Sequence, residues 1–464
     1  MATAYDEVPY QNLPFTQALP RGHAVVATLH GLTPPDPRRA RVLELGCGAG
    51  AHLLGIAAAH REVEAVGVDL AASAIETARE DAAAAGLDNV RFEVGDVLEL
   101  TQGQLGEFGY VIVHGLYAWV PEPVREAVLE ACRSHLAPDG IAYVSYNSHP
   151  GGHLRRMLRE MAEFHTRGLA DPHARAERAR GLFTLLDRLG EAGGKTFYAG
   201  VLGEEVHALA EAPESALVHD LLASVSAPVW FRDFATAAAR HGLTYVADAI
   251  PAASREAPWS EAVEAFVADS AGDDRIAREQ YFDLIVLRRF RHSLLCHERH
   301  APTARVDPAA VPRLLVAPHG DLAGSPEPLR AALADVNRLR PVAFGALRER
   351  AGLPEAELVA QLMAAFDVDD IGFHAVPPPA AATPGEQPRA SALARSQARE
   401  AAIVTTLLNQ LVRVTDEPTA QLLRLLDGTR DRDALRAAFP GPLDAPSLDA
   451  ALDAFARLGL LHAA

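Results

Sequence analysis

A chain of 464 residues with a formal net charge of −18 can hold two or three separately cored domains. Its acidity excludes a protein that grips nucleic acid through the phosphate backbone. No run reaches the roughly 18 apolar residues of a membrane span, no leader pattern opens the chain, and Cys47, Cys132 and Cys296 are too few and too scattered for a disulfide framework. A cytoplasmic protein with a small-molecule or basic protein partner is expected. Lys195 is the single lysine, which removes any mechanism that needs a lysine elsewhere.

The first ten residues are polar, aromatic and acidic. An apolar run, Arg41 to Leu45, then carries Glu44 into a glycine-dense turn, Gly46-Cys47-Gly48-Ala49-Gly50, and a helix is expected over His52 to His60. Strand, glycine turn and helix in that order bring a ligand against bare backbone and a positive helix end. The spacing is Glu-x-Gly-x-Gly-x-Gly, which is not the dinucleotide fingerprint, and the P-loop lysine is missing. His52 reads as a surface residue of the first helical turn.

A second strand over Val63 to Asp69 ends in an acid, followed by Leu70. A helix from Ser73 to Ala85 stops at Gly86. A third strand, Val90 to Val94, runs into Gly95-Asp96-Val97. An acid at the end of the second strand suits ribose hydroxyls.

Phe108 to Gly115 reads as a fourth strand, followed by His114-Gly115-Leu116-Tyr117-Ala118-Trp119-Val120-Pro121. Helix Val124 to Leu136 and a turn at Pro138-Asp139-Gly140 lead to a fifth strand, Ile141 to Asn147, with Tyr146 near its end. Alternating strands and helices imply a parallel doubly wound sheet.

Residues 153–225 turn helical and interrupt that order, with Arg155, Arg156 and Arg159 as a solvated face. A helix over Phe231 to His241, a strand over Leu243 to Ala249 and an edge strand over Phe290 to Cys296 resume it. His292, Cys296, His297 and His300 crowd together. A strand sends Cys296 and His297 to opposite faces, so no metal is expected.

Beyond His300, Phe344 to Ala351, Pro354 to Phe366 and the strand Ile371 to Ala375 look like a winged helix-turn-helix. A Pro/Ala-rich linker and a second helical unit (Thr419 to Leu426, Arg432 to Phe439, Ser447 to Leu458) follow. The would-be recognition helix, Pro354 to Gln361, has two acids and no base, which favours protein contact or a homodimer over DNA.

Glu44-x-Gly46-x-Gly48-x-Gly50, with Asp69 and Asp96, resembles the cofactor motifs of class I S-adenosylmethionine methyltransferases. Tyr5 to Tyr10, His114 to Pro121, Ser145-Tyr146-Asn147 with Pro150-Gly151, and Arg289-Phe290-Arg291 with Leu294 to His297 narrow the resemblance. They are similar to methyltransferases with a regulatory domain, a group that includes rickettsial-type protein lysine methyltransferases. Gly152 and Leu19-Pro20 depart from that group's pattern, at positions expected beside the substrate entrance.

The resemblance implies an α/β fold: a Rossmann-like seven-stranded sheet with a helical insertion, plus a C-terminal winged-helix-like α+β domain. Expected units are a core over 1–152, the insertion over 153–225, completion of the sheet over 226–300, a winged-helix-like domain over 301–376, a linker over 377–395 and a last unit over 396–464. S-adenosylmethionine would be held by Glu44, Gly46, Cys47, Gly48, Asp69, Leu70, Gly95, Asp96, Val97 and His114, with Tyr5 and Tyr10 folding over it as a lid. His114, Tyr117, Trp119, Tyr146 and Asn147 would meet the methyl acceptor. That acceptor is expected to be an amine on a protein or peptide, such as lysine. A small-molecule O- or N-methyltransferase, or a weakly catalytic cofactor-binding interaction protein, are the other readings.

Overall fold

A computed structural model of the chain describes residues 8, 10, 13–100, 104–191, 200, 202–250, 260–320, 322–399 and 402–463. Helix α1 (Pro20–Leu29) precedes an alternating series: β1 (Arg41–Leu45), α2 (Ala51–Ala59), β2 (Glu64–Asp69), α3 (Ala72–Ala84), β3 (Val90–Val94), β4 (Phe108–Val113), α4 (Glu122–His135) and β5 (Leu136–Asn147). The insertion holds α5 (Gly152–His165), α6 (Pro172–Glu191), α7 (Gly203–Glu211) and a π-helical turn at Leu217–Leu221. After it come α8 (Phe231–Arg240), β6 (Leu243–Asp248), α9 (Glu261–Ala271), α10 (Arg275–Val286) and β7 (Phe290–His297).

These strands form one seven-stranded sheet in the order β3-β2-β1-β4-β5-β7-β6, with β7 antiparallel to both neighbours. β4 is buried along its whole length, as expected for a strand covered on both faces. The period-two alternation divides the core in two. Val42, Tyr110, Tyr143 and Leu294 pack toward α1, α2 and α3. Leu43, Val111, Val144 and Leu295 pack toward α4 and α8. The strand order reverses between β1 and β4, and in such sheets the ligand crevice opens at the carboxyl ends of those two strands.

Three expectations are corrected. β7 is not an edge strand: it lies between β5 and β6, because its apolar residues Leu294, Leu295 and Cys296 are buried from both faces. β5 begins at Leu136 and absorbs the expected turn at Pro138-Asp139-Gly140, with a register shift between Phe108 and Tyr110. The Pro/Ala-rich stretch is not a free spacer. Ala380 bridges to His462 and Ala390 to Leu461, and the small side chains allow that close packing.

The insertion has its own core around Leu158, Phe183, Val206 and Leu217. Strands β8 (Leu315–Pro318), β9 (Val342–Ala343) and β10 (Ile371–His374) form a small antiparallel sheet. It packs with α11 (Glu327–Leu333), α12 (Phe344–Ala351) and α13 (Glu355–Asp367). The last unit comprises α14 (Ala392–Gln397), the hairpin β11 (Ile403–Thr405) and β12 (Leu411–Arg413), and α15 (Glu417–Leu425), α16 (Arg432–Ala438) and α17 (Ala445–Arg457).

Candidate active site

The glycine turn leaves β1 with Gly46 and Gly48 at φ 75° and 54°, values a side chain would oppose. Gly48 N–H donates to Asp69 Oδ2 and Ala71 N–H to Asp69 Oδ1, both at 2.8 Å, so the carboxylate at the end of β2 is aimed by backbone. Cys47 N–H bonds to the Val68 carbonyl at 3.3 Å. Its thiol is buried, and desolvation pushes its pKa well up, so the side chain is packing and not a nucleophile.

Glu44 is 4% exposed, and its Oε2 has no hydrogen-bond partner among the described residues. Burial, then the charge of Asp69, pushes its carboxyl well above the usual range. A ligand cation beside it would relieve both effects. At the next strand end, Gly95 N–H bonds to the Asp69 carbonyl at 2.9 Å and Asp96 caps a short turn by accepting from Leu98 N–H at 2.9 Å. Leu70 and Leu98 are 58% and 54% exposed at these strand ends, with Val97 half-buried. An orphaned buried carboxylate oxygen, aimed acids and bare leucines fit a ligand with an ammonium group, ribose hydroxyls and a flat base.

His114 follows β4 on the other side of the reversal point. Its Nδ1 lies 2.9 Å from Tyr143 Oη and 3.1 Å from Ser145 Oγ, and Phe15 lies against its ring at 3.8 Å. Ser145 Oγ also accepts from Gly115 N–H at 2.9 Å. Burial, with smaller contributions from His52 and His292, lowers the His114 pKa to about 3, so the ring is neutral near pH 7. Ser145 pairs with His292, and Asn147 with Phe290, across β5 and β7. Phe290 and His292 rings lie 4.9 Å apart, and His292 Nδ1 is 4.0 Å from Asp248 Oδ1. Asn147 is buried, and its carbonyl accepts from Val229 N–H at 3.0 Å.

The alternation of β5 parts the expected acceptor residues. Tyr146 points to the face opposite Ser145 and Asn147, where its hydroxyl meets Ser293 Oγ at 3.0 Å and its ring lies 4.3 Å from Phe234. Tyr117 joins that aromatic group, 3% exposed and edge-on to Phe234 at 5.3 Å. Both tyrosines are packing residues of the α4–α8 side. Burial pushes the Tyr117 phenol up to about 12. Trp119 ends the same short turn, half-buried. Of the residues around His114, Phe15 and Tyr143 were not singled out in the sequence, Ser145 and Phe290 carried only the resemblance, and His292 was weighed only as a metal ligand, because the β5–β7 pairing that joins the last three spans more than 140 positions.

Tyr5 lies outside the described residues. Tyr10 meets the insertion: its hydroxyl donates to Asp220 at 3.2 Å, and its ring meets His219 edge-on at 5.8 Å. His219 Nε2 is 2.6 Å from the Val8 carbonyl, so this segment is tied to the insertion. His52 is not on the surface but 2% exposed, because the N-terminal segment and the last unit cover it. Leu19 and Pro20 line a crevice with Gly55, Leu407 and Asn409. A side chain at Gly152 would press on Pro228 at 2.7 Å, which accounts for the small residue there.

Three family descriptions match the chain: "Methyltransferase domain" over residues 42–140, "Predicted methyltransferase regulatory domain" over 213–297, and "PKMT, C-terminal winged helix domain" over 386–457. The winged-helix match falls on the last unit and takes in part of the expected linker. The uncharacterized protein RP789 of Rickettsia prowazekii is 36% identical over 295 residues, covering 63% of this chain and 52% of its own length. The chain thus spans about half of that relative. RP028 of the same organism is 32% identical over 231 residues, covering 50% of this chain and 92% of its own length. The structure of PKMT2 from Rickettsia typhi in complex with AdoHcy superposes with a TM-score of 0.83 at 25% identity, over 98% of this chain and 100% of that one. With the aimed Asp69, the buried Glu44 and the 3-2-1-4-5-7-6 sheet, these findings place the chain among the class I S-adenosylmethionine-dependent methyltransferases that carry a methyltransferase regulatory domain.

Proposed function

We propose that this protein methylates the unprotonated side-chain amine of a lysine in a protein or peptide. When bound, S-adenosylmethionine would supply a sulfonium-linked methyl group open to in-line attack by an amine lone pair, the C–S bond breaking as the N–C bond forms and its electron pair leaving with sulfur as S-adenosylhomocysteine. Glu44 takes the cofactor's ammonium end, backbone of Gly46, Cys47, Gly48 and Gly95 lets it approach, Asp69 takes the ribose hydroxyls and Asp96 the base amine. Leu70 and Val97 cover the base.

The observation that carries the acceptor reading is the face formed by His114, Ser145, Asn147, Phe290 and His292. Burial lowers both imidazole pKa values, so neutral rings meet the incoming amine. Aromatic faces hold the ammonium product by cation–π attraction without competing for its lone pair beforehand. Asp248 fixes the backbone behind His292, its Oδ2 accepting from His292 N–H at 3.3 Å. The excess of acid over base in the chain favours a basic partner, and the named PKMT2 neighbour supports the same class.

The test is transfer of labelled methyl from S-adenosylmethionine in a bacterial lysate, followed by mass spectrometry of the labelled peptides. Label on lysine side chains is expected. Label confined to small molecules would overturn the acceptor and leave the cofactor site untouched.

A further inference from the structure

The far end of the chain touches the helix that leaves the glycine turn. The β11–β12 hairpin turns over Thr406 to Gln410, and its tip, Leu407 to Asn409, lies on α2. Asn409 is 2% exposed at φ 62°, a left-handed conformation that asparagine tolerates. Its Nδ2 donates to His52 Nδ1 at 3.0 Å and to the His52 carbonyl at 3.4 Å. This seat exists because residue 55 has no side chain: a Cβ on Gly55 would collide with Asn409 Oδ1. Within a helix, glycine is the least favourable residue short of proline, and α2 is otherwise built from alanine, leucine, isoleucine and His52. The notch gives Gly55 a reason to be there.

His52 passes the contact onward. Phe15 N–H also donates to Nδ1, at 3.2 Å. A backbone amide can only donate, so Nδ1 carries the lone pair and the ring proton sits on Nε2, which faces the Ala18 carbonyl at 3.3 Å. The same logic orients Asn409, since the reversed amide would set oxygen against that lone pair and the His52 carbonyl. Phe15 in turn lies on the His114 ring. Arg21 Nη2 fastens the tip through the Leu408 carbonyl at 3.0 Å, and Leu393 of the same unit enters the sheet core.

We propose that the hairpin tip of the C-terminal winged-helix unit is a positioning device for the cofactor site: Asn409, seated in the Gly55 notch, holds His52, and His52 holds Phe15 against His114. Cofactor affinity then depends on the docking of that unit, and a partner that lifts the hairpin lowers it. The inference rests on the S-adenosylmethionine site and is independent of the acceptor.

The full chain is tested by calorimetry with S-adenosylhomocysteine. Asn409→Gly keeps the turn conformation and removes the amide. Gly55→Ala raises helix propensity and closes the notch. Each is expected to weaken binding about five- to twentyfold, while the double variant is no weaker than either alone, since both break one contact. Amide exchange at Phe15 accelerates in all three. Circular dichroism identifies variants that are folded. Folded Asn409→Gly and Gly55→Ala proteins with parental affinity and parental exchange at Phe15 would overturn the proposal, and so would losses that simply add.

Discussion

Phe15 and His114 meet ring against ring with centroids 3.8 Å apart, joining the segment before α1 to the end of β4. The contact walls the point where the strand order reverses. It leaves the His114 Nδ1 to the hydroxyls of Tyr143 and Ser145. One face of the imidazole is thereby fixed by packing and one edge by hydrogen bonds.

Replacing His114 with alanine removes both constraints. Transfer to a lysine peptide is expected to slow about 100-fold through lost positioning, while S-adenosylhomocysteine affinity falls only about five- to twentyfold, as in the Asn409→Gly variant, because Phe15 loses the ring it rests on. Stopped-time assays and calorimetry on one preparation check the split. A variant with full turnover would remove His114 from the acceptor face.

Asp69→Ala strikes the other half of the site. It removes the acceptor that Gly48 and Ala71 N–H groups aim and the charge offered to ribose hydroxyls. Cofactor binding should weaken by about 1.5–3 kcal/mol if those bonds are charge-assisted. Calorimetry with S-adenosylhomocysteine reads this directly, and unchanged affinity would exclude the role.

The two faces of β5 should behave differently. Tyr117→Phe deletes a hydroxyl in the α4–α8 core and is expected to leave transfer unchanged. His292→Ala, on the face of Ser145, should lower kcat/KM for the peptide. Reversal of these two outcomes would mean that the acceptor lies on the Tyr117 side.

Acid should unfold this protein early. Burial lowers His23 and His114 to about 3 and His52 to about 4, from an ordinary value of 6.5. Between those values the unfolded chain binds more protons than the folded one, so stability is full above about pH 6.5 and is lost as pH falls toward 3. Each histidine contributes up to about 1.4 kcal/mol per pH unit in that window. Melting temperature should drop from pH 7 to pH 5, and His23→Phe, which keeps the ring stacked on Tyr143, should flatten the drop. A parallel pH profile in the variant would count against it.

Arg291 is 1% exposed and clamps Asp283 by two bonds, Nε to Oδ2 at 2.8 Å and Nη2 to Oδ1 at 2.9 Å, while covering the Phe231 ring at 3.8 Å. Arg291→Leu leaves a buried carboxylate with Arg288 as its remaining clamp. A loss of about 3 kcal/mol is expected, read from the shift of a urea transition. A shift within error would mean that the pair is not held in solution.

Much of this was legible locally. The glycine turn, the acids that end β2 and β3, and the period-two runs of seven strands depend on neighbours a few residues away. The backbone conformation of Gly46 and Gly48 then follows from having no side chain. Other features were not legible. Alternation shows that Tyr146 and Asn147 part company, but not which face holds the site. That depends on β7 pairing beside β5, 143 positions apart in the register Asn147 with Phe290. His52 looked like a surface residue because its cover, Asn409, lies 357 positions away.

The methyl donor was therefore written in short-range pattern, because a turn and a strand end are fixed by steric rules that act between adjacent residues. The wall around His114, the interior place of β7 and the seat of Asn409 at Gly55 arise from pairings between distant segments. Such pairings are settled by which surfaces bury best against one another, and no window of neighbouring residues contains both.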